Sequence, residues 1–159
     1  MSDAIFSLGN PVFAGFAFHS VACLSKTVIL GPLTTMKRFA TMTFSNEEDK
    51  VVVRAIGQSP KDAKVDFRND SVERLRRNHL NDMENVYPFV LTGFFYVMTR
   101  PSLDSALLHF RIFTISRFVH MLAYQFALPQ PLRATAFSVG VGIIFSMAYK
   151  VLSTACSAL

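Results

Sequence analysis

The chain has 159 residues, of which 51% are hydrophobic, 17% are charged and sixteen are phenylalanine, a membrane-protein profile at single-domain length with a mean hydropathy of +0.33. Cys23 and Cys156 stand in apolar surroundings near opposite ends of the sequence, without metal-ligand or redox spacing, which excludes a disulfide framework and a zinc site. The net charge of +5 comes from basic residues clustered beside apolar stretches, not along a soluble face, so it argues for membrane orientation and against a nucleic-acid partner.

MSDAIFSLGN carries no basic run before the first apolar segment, so no cleavable signal peptide is expected and the first span stays. That span covers about 11–42 and is long enough to cross a bilayer with some tilt. Lys26 falls near its middle, where an ammonium needs a carboxylate, such as Asp82, or a carbonyl. Gly31-Pro32 is a candidate kink, because proline removes a backbone donor, and Lys37 and Arg38 close the segment. Residues 43–71 are polar and of mixed charge, and read as a loop outside the membrane with a short helix after Asn46. Within it, Asp49 is either a solvated loop acid or an anchor for Arg38.

The second span, about 72–98, begins with VERLRRNHLNDMENVYP and runs without a break into FVLTGFFYVM. At 100° per residue, Arg74, Arg77, Asn81 and Glu84 form one polar stripe, and Asp70 with Glu73 can cap the helix start. A hydrocarbon layer of about 30 Å, counted back from Met98 at about 1.5 Å per residue, places Asn81 and Glu84 inside the apolar slab. Groups of that kind must face other helices or a wet cavity, and by default they mark a functional site. TRPSLD then turns the chain, with Pro101 and Ser102 as start signals for a third span at about 103–126. There Arg117, His120 and Tyr124 stack on one face at i, i+3 and i+7; a single buried histidine is usually a satisfied core residue, but three aligned polar groups make a second stripe.

Pro131 suits the first turn of a fourth helix over about 131–152, which sets Arg133 at a helix N-terminus where free amides and the dipole favour an anion. Ala134, Ser138, Gly142 and Ser146 recur every four residues, a small-residue seam that lets another helix approach closely. Lys37, Arg38, Arg74, Arg76 and Arg77 flank the 43–71 loop while the first 25 residues hold no Lys or Arg, so the loop is expected in the cytosol and both termini on the far side. The expected fold is therefore an all-α integral membrane protein, a bundle of four transmembrane helices. Its polar groups converge at the cytosolic face.

Arg38, Arg77, Arg117 and Arg133, with Glu84, Asn81, His120 and Tyr124, suit a small molecule bearing carboxylates and an amine. Neither serine near these positions, Ser116 or Ser138, has a histidine partner legible from spacing, and neither cysteine lies among the charges, so the reactive atom of an enzyme here would belong to a bound cofactor. A thiol fits Arg133, since a cation or a helix N-terminus stabilises the thiolate.

VERLRRNHLNDMENVYPF, followed by LHFRIFTISRFVHMLAY and LPQPLRATAF, closely resembles the microsomal glutathione transferases, type 1-like, of the MAPEG superfamily (membrane-associated proteins in eicosanoid and glutathione metabolism). The resemblance covers nearly the whole chain in order. It implies a four-helix subunit, a homotrimer, and glutathione bound between subunits near the cytosolic face, in the endoplasmic reticulum membrane with the outer mitochondrial membrane as a second location. By motif position it implies glutathione contacts at Arg38, Arg74, Arg77, Asn81, Glu84, Arg117, His120 and Tyr124, with Arg133 as the thiolate-stabilising arginine and no metal. Prostaglandin E synthases of the superfamily carry serine directly after that arginine and tyrosine three residues further on; here those positions are Ala134 and Phe137, and an arginine before Asn-Asp is Leu80. The family's N-P-E-D is N-E-E-D at 46–49. The departures favour conjugation of glutathione to hydrophobic electrophiles, with reduction of lipid hydroperoxides, over a prostaglandin or leukotriene synthase; a non-catalytic lipid-binding member is the alternative from outside enzymes.

Overall fold

A computed structural model describes residues 4–159. Four long helices carry the fold: α1 (Pro11–Thr41), α2 (Asp70–Met98), α3 (Leu103–Gln125) and α4 (Gln130–Cys156). α1, α3 and α4 are long and apolar enough to cross a membrane. α2 has the length, at 29 residues, but the charge in its first half keeps it out of that class.

Local chemistry explains the boundaries. The Asn10 side chain accepts from the amides of Val12 and Phe13, with Pro11 in the first turn of α1, and Ser102 caps α3 through the Ser105 amide. α1 continues through Pro32 to Thr41, and Met42, in the left-handed region at φ 51°, turns the chain out of it. The start of α2 differs from the expected Asp70–Glu73 cap. Asn69 is the cap, its Oδ1 accepting from the Val72 amide, while Glu73 is drawn into an ion pair with Arg76 at 2.9 Å. Asn69 fits because its extended backbone turns the side chain back toward the free amides of the first turn, whereas Asp70 is already helical.

The 43–71 segment is folded to a degree its polarity does not suggest. Strands β1 (Thr43–Phe44) and β2 (Lys64–Val65) pair in parallel, and a 3-10 helix runs over Glu48–Ile56 between them. Phe44, Val53 and Ala63 form a small core beneath Phe39 and Met42. Asp49 accepts from the Asn46 side chain at 3.1 Å and makes no ion pair with Arg38.

The main core is aromatic. Phe16, Phe89, Phe110 and Phe113 bury their rings between α1, α2 and α3, with Phe89 and Phe113 stacked at 3.9 Å. Gly93 makes this possible: a Cβ there would lie 2.6 Å from the Phe16 ring. Gly140 brings α4 onto α3 in the same way, since its Cβ would meet Ser116 Oγ at 3.1 Å and Arg117 Cδ at 3.4 Å. The anticipated seam of Ala134, Ser138, Gly142 and Ser146 lies on an exposed face, while Ala136, Gly140 and Met147 are the buried residues of α4.

Candidate functional site: a basic cavity above a buried ionic network

One end of the α2–α3–α4 bundle holds a polar cavity of about 210 Å³ lined by Asp70, Arg74, Arg77, Tyr124 and Arg133. Asp70, Arg74 and Arg77 reach it together because i, i+4 and i+7 share a helix face. Arg74 Nη1 donates to the Tyr124 carbonyl at 3.2 Å, which fixes α2 against the end of α3. The Arg133 guanidinium sits 5.3 Å from the centre of the Tyr124 ring, within cation–π range. α4 begins after Pro129 with no side-chain cap, and Arg133 lies in its first turn, at the positive end of the helix dipole. Three arginines face a single carboxylate here, and none of the three is ion-paired among the described residues. The Arg133 Nε is buried with no hydrogen-bond partner among the described residues. Such a cavity carries excess positive charge and unused donors. It suits an anion with several acceptors.

Deeper in the bundle lies a second polar cluster. Lys26 Nζ donates to both carboxylate oxygens of Asp82 at 2.6 Å and to the Arg117 carbonyl at 3.3 Å. Arg117 Nη2 is 3.6 Å from Asp82 Oδ1, donates to Asn81 Oδ1 at 2.5 Å, and lies 3.2 Å from His120 Nδ1. An arginine has only donors, so His120 Nδ1 must accept, and the ring proton belongs on Nε2. Asp82 and Arg117 are wholly buried and Lys26 and His120 are 5% exposed. The His120 ring lies 5.9 Å from that of Tyr124 and so links the network to the cavity wall.

The residues singled out from sequence thus fall into three groups. Arg74, Arg77, Tyr124 and Arg133 meet in the cavity. Asn81, Arg117 and His120 join the buried network below it. Arg38, half-buried at the end of α1, and Glu84, exposed on α2, line neither. Lys26 does find the carboxylate it needs. Sequence reasoning missed Asp70 as a cavity residue, although its spacing to Arg74 and Arg77 carried the signal; nothing local to Gly140 announced that Arg117 needs it to be bare.

Residues 16–153 match the MAPEG family. The chain belongs to that family. Among its relatives, human microsomal glutathione S-transferase 1 is 40% identical over 154 residues, covering 97% of each chain. The bovine microsomal glutathione S-transferase 1 is 41% identical over 145 residues, 91% of this chain and 92% of that one. Human prostaglandin E synthase is more distant, 31% identical over 145 residues and 91% of each chain. In this MAPEG chain the family match spans all four long helices, so the cavity and the network both lie within it.

Proposed function

We propose that the protein is a membrane glutathione transferase in which Arg133 stabilises the glutathione thiolate, and that it also reduces lipid hydroperoxides with glutathione. The observation that carries this reading is the cavity itself, three unpaired arginines at the open N-terminus of α4 with the Arg133 Nε unsatisfied. Identity of about two fifths to microsomal glutathione S-transferase 1, against under a third to prostaglandin E synthase, supports the transferase branch. Ala134 and Phe137 support it too, standing where the synthases have serine and tyrosine.

Arg74 and Arg77 pair with glutathione carboxylates, and Glu84 and Asp70 are the acids available for its ammonium. Tyr124 faces the tripeptide from the cavity wall, and Asn81, Arg117 and His120 act from the network below it, holding α2 and α3 in the spacing that the cavity needs. Arg133 offers a cation to the sulfur and so lowers the thiol pKa at about 1.4 kcal/mol per unit. In conjugation the thiolate forms a carbon–sulfur bond and a halide departs with the electron pair of the broken carbon–halogen bond. In peroxide reduction the thiolate takes one oxygen of the O–O bond and an alcohol leaves; a second glutathione then displaces water from that sulfur, giving the disulfide.

Four spans are proposed, α2 crossing with its charged half turned to the bundle interior, the 43–71 segment in the cytosol and the chain in the endoplasmic reticulum. A homotrimer completes the site. The distance of Arg38 and Glu84 from the cavity, and the uncovered small-residue face of α4, support a neighbouring copy that brings such groups together. Turnover of a halonitroarene with reduced glutathione, measured on the detergent-purified protein beside Arg133→Ala, tests the assignment. The wild type is expected to turn over and the variant to be nearly inactive; comparable rates refute the role of Arg133.

A further inference from the structure

The far end of the bundle holds a second cavity with a different character. It has a volume of about 380 Å³ and lies among the end of α2, the 99–102 turn, the start of α3 and the last turns of α4. Two cations line it, Arg100 from the turn and Lys150 from α4, and neither is ion-paired among the described residues. Both are exposed, and the acid of the first α3 turn, Asp104, is not in the wall. Hydroxyls complete the polar side: Thr99 donates to the Tyr96 carbonyl at 2.8 Å, Tyr96 and Ser105 share a bond at 3.2 Å, and Ser146 is bonded to His109 Nε2 at 2.9 Å. These bonds hold the wall in place while leaving the two cations without an anion.

We infer that this cavity is a binding site for the phosphate of an anionic phospholipid, held between Arg100 and Lys150. Two unpaired cations converging from separate elements are what a phosphate needs for charge-assisted bonds. Basic pockets between membrane helices recognise lipid headgroups on the same principle. A lipid fits better than free phosphate because the site opens where apolar helices end. Tyr149, 74% exposed beside Lys150, is placed as an interfacial aromatic, and Phe145, 70% exposed one turn nearer the bilayer centre, offers an apolar surface for an acyl chain. The site lies at the other end of α3 from Tyr124 and Arg133, so it does not depend on the proposed chemistry.

The test is native mass spectrometry of the detergent-purified full chain, titrated with phosphatidic acid and with phosphatidylcholine of the same acyl chains. Phosphatidic acid is expected to be retained preferentially, about fivefold more weakly in Arg100→Ala or Lys150→Ala and about 30-fold more weakly in the double variant, at roughly one charge's worth of surface attraction per cation. Lys61→Ala/Lys64→Ala, which removes two cations from the 43–71 segment, is expected to change nothing. Equal retention of the two lipids, an unchanged double variant, or an equal loss in the Lys61/Lys64 control overturns the inference. Inorganic phosphate displacing the lipid at equimolar concentration overturns the lipid assignment in favour of a soluble phosphate. Helical circular dichroism of the double variant, expected to match the wild type, separates lost binding from lost fold.

Discussion

Two cationic clusters meet at the α2–α3 pair, each with one acid, and they differ in whether that acid is paired. In the buried cluster Asp82 sits between Lys26 and Arg117, and its oxygens answer both cations within 3.6 Å. In the cavity, Arg74, Arg77 and Arg133 face only Asp70 and none is paired among the described residues. A carboxylate with no access to water turns arginine into scaffold, since breaking such a pair costs far more than forming it gains. Where the one acid in reach, Asp70, pairs with none of them, the guanidinium groups are left for a ligand. Composition alone cannot separate the two roles; pairing does.

Substitutions can break this contrast, beginning with the largest effect. Arg133→Ala is expected to lower kcat for arene conjugation by about 10²- to 10³-fold, the usual loss on removing one charge-stabilising donor, while moving equilibrium unfolding in mixed micelles by no more than about 0.5 kcal/mol. Asp82→Ala should do the reverse, costing about 3–5 kcal/mol of unfolding free energy by leaving Lys26 and Arg117 buried without an anion. A loss below about 1 kcal/mol would mean the network is not scaffold.

Gly140→Ala is expected to cost about 1–3 kcal/mol by overpacking Ser116 and Arg117. A cost below about 0.5 kcal/mol in the same assay would contradict the packing described. Salt sharpens the contrast further. Raising ionic strength from about 0.1 M to 1 M shortens the screening length from about 10 Å to 3 Å, so glutathione affinity by calorimetry should fall severalfold while unfolding stays unchanged. The smallest effect belongs to the surface: Glu73→Gln, which removes the pair with Arg76, should cost about 0.5 kcal/mol or less.

The polar stripes were legible because helical periodicity is a local property: Arg74 and Arg77, or Arg117, His120 and Tyr124, share a face whatever surrounds them. Long apolar runs likewise announced α1, α3 and α4, and Ser102 and Pro131 marked where two of the helices begin. The partition of those stripes was not legible. Whether Arg117 faces a ligand or Asp82 depends on how far α3 is rotated against α2, a tertiary quantity that the clearance at Gly140 helps set. The cap of α2 moved from Asp70 to Asn69 for a smaller reason, since neighbouring residues of similar capping strength compete and the backbone angle chooses. Asp70, released from that duty, became part of the cavity wall.

The 43–71 segment is closed at its base. Thr43 and Phe44 pair with Lys64 and Val65, and the Asn69 side chain donates to Thr43 Oγ1 at 3.3 Å just before α2 begins. Everything between is looped out from a fixed clasp, with Gly57, Gln58 and Ser59 exposed at its outer bend. A reporter peptide or small fluorescent domain spliced between Gln58 and Ser59 would therefore hang from the clasp without disturbing the spacing of α1 and α2. The fold has a built-in attachment point at residues that line neither cavity.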